Sequence, residues 1–319
     1  MQKLLTIAIP TYDRLDYLLD NLAHLLPQMK KYKNEIELII SDNHSPNDPY
    51  PNIFELCSQF GVDIVYCRHD VNIGADQNIE YVANKSSGDY LFILGDDDIL
   101  SPSFLHIIVP ILRTHEYGAI HYGRLIGDAN CSNNRIHNSI YEDTLLKVSA
   151  KDFIRKCLSA PNLLTSIIVD KECWIKGSYL AKDKYYGYNW FARYYLGALE
   201  LSKPCLIYYF PLLIMRNPSR VWSMSWPLYA IVGLGDLFKD IDTSVPGVYD
   251  LWIQRLHDKR YYSLKRMLRQ VYPYRDYYRD KKREFYPHLT KYERAFFNYW
   301  LYTPFPRISN RLYCLLFRA

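Results

Sequence analysis

The sequence lacks the marks of several whole classes of protein. Its seven cysteines include no Cys-x-x-Cys pair, and none has a histidine at zinc spacing. An odd, scattered set argues against a disulfide scaffold and fits a reduced, cytosolic protein. No run reaches ~18 uninterrupted apolar residues, so no membrane-spanning helix is expected. The longest candidate, Cys205 to Met215, is too short and contains Pro211. The apolar N-terminal run is short, has no small-residue cleavage site and leads straight into a patterned segment, so no secretory signal is read. A strong charge of one sign is also missing. The net charge is +5 and the pI about 8.6, too mild and too dispersed for a nucleic-acid binder.

What is present is a globular composition. The chain has 319 residues, 49% hydrophobic and 23% charged, enough for one large or two modest domains with a real core. Tyrosine is abundant, at 31 residues, and is densest in the C-terminal third.

The first 125 residues alternate strand and helix patterns. Leu4 to Ile9 is a β-rich run closed by Pro10, and Leu15, Leu18, Leu19, Leu22, Leu25 and Leu26 follow at helical spacing. Glu35 to Ile40 reads as a second strand, Ile53 to Phe60 as a helix with Gly61 as its C-cap, and Val62 to Cys67 as a third strand. A helix from Ala75 to Ala83 precedes the apolar run Tyr90 to Leu94. Ser101-Pro102 suits a cap and first helical position, with the helix running to Thr114. Tyr117 to Tyr122 reads as a fifth strand. Such alternation predicts a mostly parallel α/β sheet flanked by helices on both faces. Ligands in such sheets bind at the carboxyl ends of the strands, and every polar cluster of this region falls there.

Residues 127–140 are polar, without a clear period, and read as a loop or boundary. Phe153 to Leu158 reads as a helix, Leu163 to Val169 as a strand, Asp170 to Glu172 as the start of a turn, Asn189 to Leu201 as a helix and Cys205 to Met215 as a strand with a proline break. Beyond Arg216 helical segments rich in Tyr, Trp, Lys and Arg dominate.

The stretch Tyr90-Leu91-Phe92-Ile93-Leu94-Gly95-Asp96-Asp97-Asp98 carries the sharpest chemistry. Three consecutive carboxylates at the mouth of a core strand repel one another. Two readings fit them: a solvated acidic turn, or a site whose charge is offset by Mg²⁺ or Mn²⁺, hard cations that take one or two carboxylates plus substrate phosphates. The position after an apolar strand, together with three polar motifs upstream, favours the second.

Those motifs are Ile9-Pro10-Thr11-Tyr12-Asp13-Arg14, Ile40-Ser41-Asp42-Asn43-His44-Ser45, and Asn72-Ile73-Gly74 with Asn78 one turn on. With Leu94-Gly95-Asp96-Asp97-Asp98, each after a strand and in this order, the chain resembles the family 2 glycosyltransferases. The resemblance covers residues 4–125, with weaker traces to 225. It is nearest to bacterial transferases that assemble O-antigen or capsule repeat units, the Leu-Gly-Asp-Asp-Asp form being similar to abequosyltransferase-like members.

The resemblance implies a GT-A (Rossmann-like) fold over residues 1–225, with 1–125 binding the nucleotide sugar and 126–225 facing the acceptor. A helical, aromatic-rich C-terminal region, 226–319, would follow. It implies a nucleotide-sugar donor held by Pro10, Thr11, Tyr12, Asp13, Arg14, Asp42, Asn43, Asn72, Gly74, Asn78 and Asp96. Asp42 would accept from a base N–H, the lesser alternative being an Asx turn before Pro46. Asp13 also suits a helix cap, and Asn72 and Gly74 an ordinary turn. Asp97 would be the principal ligand of Mn²⁺ or Mg²⁺, with Asp96 nearby and Asp98 either a second ligand or a contact to the donor sugar.

One departure stands out. Inverting members carry an acidic pair before an amphipathic helix, with an arginine about two turns on. Counting back from Arg193, those positions hold Tyr186 and Gly187. Asp183 is the nearest carboxylate and the substitute candidate for the base, against a plain surface role between Lys182 and Lys184. Inversion is the family default, and the departure leaves retention open. Arg216 and Arg220, in Arg216-Asn217-Pro218-Ser219-Arg220, are candidates to clamp the pyrophosphate, or else a basic surface loop. In the tail, Lys281-Lys282-Arg283 interleaves with Phe285, Tyr286, Phe296, Phe297, Trp300 and Phe305. Core packing is ranked first for these aromatics, ahead of contact with an anionic membrane surface.

The function expected is transfer of a sugar from a nucleotide-sugar donor, with a divalent metal, to a saccharide acceptor, a polyprenyl-diphosphate-linked repeat unit fitting best. The location expected is cytoplasmic, with peripheral contact to the inner face of the membrane. A non-catalytic nucleotide- or glycan-binding protein of the same fold, and a sugar nucleotidyltransferase, are the alternatives. The second ranks lower because the Thr-Tyr-Asp-Arg turn lacks a Gly-rich loop.

Overall fold

Leu5, Ile7, Ala8 and Ile9 are all fully buried, the pattern of a strand covered on both faces. In the computed structural model these residues form β1 (Leu5–Thr11), an interior strand of a sheet that has ten strands among the described residues. The structure describes residues 2–127, 135–136, 145–158, 164–182, 184–185, 189–216, 227–257 and 274–302. These residues fall into two compact units, one of 1–183 with 189–219, the other of 184–188 with 220–319.

In the first unit, β1 is followed by α1 (Leu15–Met29), β2 (Ile36–Asp42), α2 (Tyr50–Phe60), β3 (Val65–Arg68), α3 (Ala75–Lys85) and β4 (Tyr90–Ile93). β1 pairs in parallel with β2 and β4, and β2 in parallel with β3. The apolar stripe of α1 (Leu18, Leu22, Leu25, Leu26) is wholly buried. Gly61 ends α2 in the left-handed region at φ 63°, where glycine avoids the Cβ clash. Pro10 lies inside β1 rather than closing it, beyond Ala8, where the pairing with β4 stops.

The other half of the sheet is mixed. A two-residue strand, β5 (Ile99–Leu100), precedes α4 (Phe104–Leu112). The helix begins later than Ser101-Pro102 suggests. β6 (Ala119–Gly127), the short β7 (Arg135–Ile136), β8 (Leu145–Val148), α5 (Ala150–Cys157) and β9 (Ile167–Asp170) follow. Then come α6 (Lys171–Ala181), α7 (Asn189–Leu201) and β10 (Cys205–Arg216). The main path is β3-β2-β1-β4-β9-β6-β10-β5. β9 runs antiparallel to both its neighbours, whereas β6 and β10 are parallel, with register shifts around Pro211.

Helix α6 replaces the turn expected at Asp170. The Asp170 side chain caps it by accepting the Cys173 N–H at 3.0 Å. Two glycines let α6 and α7 touch backbone to backbone. A Cβ at Gly177 would lie 1.9 Å from Arg193 O, and one at Gly197 1.8 Å from Cys173 O.

The second unit contains α8 (Leu234–Ile241), α9 (Val248–His257), α10 (Arg275–Phe285) and α11 (Lys291–Tyr302). Its aromatics pack inward: Phe238 on Trp252, and Tyr278, Phe285 and Phe297 in a chain with centroids 5.7 and 5.0 Å apart. His288 is buried, between Asp236 at 3.1 Å and Tyr249 at 3.2 Å. Phe285, Phe297 and Trp300 are thus core residues, while Lys281 and Lys282 are half-buried and Arg283 is exposed. Phe305 lies outside the described residues. No helix among the described residues is long and apolar enough to cross a membrane.

Candidate active site

The carboxyl ends of β1, β2 and β4 bring three of the four motifs to one edge. After β4, the chain turns through Gly95 to Asp98, and the three carboxylates separate. Asp96 accepts a hydrogen bond from the Thr11 hydroxyl at 2.9 Å, and one from Arg14 at 3.2 Å. Asp97 accepts from the same Arg14 nitrogen at 2.7 Å. Asp98 turns inward, where the Thr165 hydroxyl donates to it at 2.5 Å and itself accepts from the Gly95 N–H at 2.9 Å.

Burial and mutual repulsion govern the charges. Burial, then Asp97, pushes the Asp96 carboxyl up to about 6, against the pull of Arg14 and Thr11. Burial, then Asp97, pushes Asp98 up to about 8, against the hydrogen bond from Thr165. Asp97 is raised by burial, opposed by Arg14 and by Arg216. Burial works against the charged Arg14, yet Asp96 and Asp97 hold its pKa above the ordinary value.

Arg216, at the end of β10, is buried, hydrogen-bonded to Asp20 and stacked 5.0 Å over the Tyr17 ring of α1. Two residues of α1 that the sequence reading passed over, Asp20 and Tyr17, therefore set its direction. A third is Asn21. Its amide nitrogen donates to Gly95 O at 3.0 Å and Asp98 O at 2.6 Å, so α1 clamps the acidic turn. A polar residue between Leu18 and Leu22 on the apolar face of a helix was a readable signal. Thr165 carried no such signal.

On the β2 side, Asp42 has no exposed surface. It accepts from the Ser45 N–H at 3.1 Å, from the Ser45 hydroxyl, and from Arg68 at 2.5 Å. Here it builds the Asx-type turn and tethers Arg68. Ser45 Oγ also accepts the Asp13 N–H at 2.8 Å, joining this loop to the one after β1. Asp13 is itself left-handed, at φ 53°, a conformation that aspartate tolerates better than most residues. Tyr12 is exposed, and Pro10 is half-buried.

Asn43 donates to Asn72 Oδ1 at 3.0 Å and accepts from the Ile73 N–H, while Asn72 Oδ1 also accepts the Gly74 N–H. Gly74 has φ 89°, and nothing lies within 4 Å of where its Cβ would be. Its role is therefore conformational, with open space in front of the backbone. Asn78 is not brought to the mouth. It is buried, bonded to Ser41 at 2.6 Å and His69 at 3.1 Å, and ties α3 to β2.

A pocket lined by Thr11, Asp13, Arg14, Leu18, Ser45 and Pro49 opens beside these groups. A larger groove of about 320 Å³, lined by Pro110, Tyr117, Leu145 and Leu206 among others, holds none of them. Its lining also includes Thr114 and Lys147, but none of the motif residues, so the smaller pocket is the one that lies beside the motifs. Arg193 is buried 5.1 Å from the Trp174 ring and 3.3 Å from Glu80. Asp183, Tyr186, Gly187 and Arg220 lie outside the described residues.

The chain and its fold are matched among known proteins. Residues 6–176 fit the family model described as Glycosyl transferase family 2. The chain belongs to that family. It is 29% identical over 228 residues to the abequosyltransferase RfbV of Salmonella typhimurium, a match covering 67% of each chain. Among solved structures, TarS 1–349 of S. aureus in complex with UDP-GlcNAc superposes with a TM-score of 0.60 at 11% identity. That match covers 93% of this chain and 87% of TarS 1–349. The complex of TarS 1–349 with UDP gives 0.58 at 12% identity over 93% and 86%. The protein is a glycosyltransferase with a GT-A-like fold and a helical C-terminal region.

Among the described residues no three His, Cys, Asp or Glu side chains gather as a cage. Two carboxylate oxygens, from Asp96 and Asp97, do converge on one cationic atom, Arg14 Nη1. One or two carboxylates, completed by phosphates and water, are what Mg²⁺ takes. Asp96 and Asp97 therefore fit; Asp98 does not converge with them and instead faces Thr165.

Proposed function

We propose that this glycosyltransferase moves a sugar from a nucleotide-sugar donor, with Mn²⁺ or Mg²⁺ held at Asp97 and Asp96, onto a saccharide acceptor. The acceptor is proposed to be an O-antigen or capsule repeat unit carried on a polyprenyl diphosphate. The observation that carries the reading is the convergence of Thr11, Arg14, Asp96 and Asp97 at the carboxyl edge of parallel strands, beside an open pocket. The names of RfbV and of the TarS complexes support the substrate class.

In this reading the donor's nucleoside lies along the loops after β1 and β2. The backbone at Gly74 is open to it, and Asp42 fixes the loop through Ser45. The metal supplies Lewis-acid stabilisation of the departing diphosphate. Arg216, fixed by Asp20 and Tyr17, adds a positive charge near Asp97 without reorganising when phosphate charge develops. The acceptor hydroxyl attacks the anomeric carbon and its proton leaves to a base, for which Asp183 is the proposed group. Inversion is the proposed course. The domain roles proposed are donor binding by 1–125, acceptor binding by 126–225, and a helical region, 226–319, whose basic outer residues rest against an anionic membrane.

A thermal-shift panel of UDP, GDP, CDP and dTDP, each with Mn²⁺, Mg²⁺ or chelator, tests the donor site. A ligand at ~100 times its dissociation constant stabilises by roughly 2.7 kcal/mol. One nucleotide shifting the protein only with metal is expected. No shift with any of them, for folded protein, would overturn the reading.

A further inference from the structure

Arg14 stands where a divalent cation would join Asp96 to Asp97. A single nitrogen, Nη1, is 3.2 Å from Asp96 Oδ1 and 2.7 Å from Asp97 Oδ2. Arg14 Nη1 takes one lone pair on each carboxylate and places a positive charge where a bridging divalent cation would sit, so the two cations repel and the ion is opposed while the guanidinium stays. The arginine has its root fixed by the backbone and its tip held through Nη1 by the two carboxylates themselves. It immediately precedes α1 and follows the left-handed Asp13, whose N–H is held by Ser45. Its side chain is 21% exposed, against 9% for Asp96 and 15% for Asp97. The partly exposed guanidinium has room to swing outward, its Cα staying fixed, once another anion replaces those two contacts. Arg216 differs: it is buried against Asp20 and Tyr17 and has its own carboxylate.

Resting on the donor-and-metal reading above, we infer that Arg14 is the resident counter-ion of the Asp96–Asp97 pair and yields that place to the metal only when a donor diphosphate arrives to receive the guanidinium. The arginine fork suits phosphate oxygens, so the displaced group finds a partner in the incoming ligand. Metal alone would leave the guanidinium with no anion beside a divalent cation, so metal alone binds weakly. Nucleotide and metal affinities are then linked, each raising the other. Arg14 is a positioning residue in this account.

The test is Mn²⁺ binding to nucleotide-free protein, followed by the electron paramagnetic resonance signal of free Mn²⁺. It compares the unmodified protein with Arg14→Ala, Arg14→Gln and Asp97→Ala, each checked for fold by circular dichroism. Removing a unit charge in contact with the site is expected to tighten Mn²⁺ binding by about tenfold or more in both Arg14 variants. Arg14→Gln retains a donor to the carboxylates and guards against misfolding of the alanine variant. Asp97→Ala weakens binding. Unchanged or weaker Mn²⁺ affinity in both Arg14 variants, with Asp97→Ala still weakening it, overturns the role of Arg14 and leaves the metal reading standing. Mn²⁺ retained by none of the proteins overturns both.

Discussion

The side-chain nitrogen of Asn21 lies 2.6 Å from Asp98 O and 3.0 Å from Gly95 O, so one amide of α1 holds both ends of the acidic turn. Replacing it with leucine keeps the helix and its apolar face but leaves two carbonyls without that donor. Each buried group left unpaired costs about 1–3 kcal/mol. Asn21→Asp should be worse, since it sets carboxylate oxygens against carbonyl oxygens. Thermal melts of both variants check this. Asn21→Leu melting with the unmodified protein would show that the clamp is idle.

Asp97 has the strongest claim to the proposed metal. It is the more exposed of the two converging carboxylates and feels both Arg14 and Arg216. Asp97→Asn keeps the shape and removes the charge. Losing several kcal/mol of charge stabilisation at the departing diphosphate lowers turnover by roughly 10²-fold or more. Sugar transfer is measured with the donor whose nucleotide shifts the melt. Equal turnover in both proteins would remove Asp97 from the chemistry.

Ser45 links two loops that the sequence presents as separate motifs. Its hydroxyl donates to Asp42, and its oxygen accepts the Asp13 N–H at 2.8 Å. Ser45→Ala removes both contacts and frees the turn that carries Arg14. A loss of about 1–2 kcal/mol in stability is expected, with weaker nucleotide binding than that loss alone would give. Calorimetric titration of the nucleotide, set beside the melt, separates the two effects.

The sequence was most legible where period and punctuation agree. The leucine stripe of α1, the Gly61 cap and the apolar β4 run all stand where their patterns indicate, because burial and backbone sterics act locally. Helix α6 is hard to see in the sequence because its packing rests on two glycines, Gly177 and Gly197, which carry no hydrophobic signal. The antiparallel insertion of β9 between β4 and β6 is a matter of topology, which a strand's own residues do not encode. Asp96 and Asp97 stand out in the sequence by their charge, and the fold brings both to Arg14. Asp98 looks the same in sequence, and only the fold brings Thr165 against it and turns it inward. Asn78 likewise belongs to a motif by spacing, yet is used to tie α3 to β2.

The inward turn of Asp98 makes stability depend on pH. Its carboxyl is pushed up to about 8 in the folded protein by burial and by Asp97, from an ordinary 3.8. Between those values the folded state holds a proton that the unfolded chain has lost. Stability from this group therefore falls as pH rises toward about 8 and levels off above it. Asp96, pushed up to about 6, acts in the same direction over the lower part of that window. His257, raised by Glu293, also loses its contribution as pH rises. The difference between the unmodified protein and Asp98→Asn isolates the carboxyl of Asp98. With metal chelated, the unmodified protein should lose on the order of 5 °C in Tm between about pH 6 and about pH 8, and Asp98→Asn should lose much less. Equal slopes in the two proteins would mean that Asp98 is already ionised at neutral pH, held by Thr165 as a carboxylate. It would then return to consideration as a metal ligand beside Asp97.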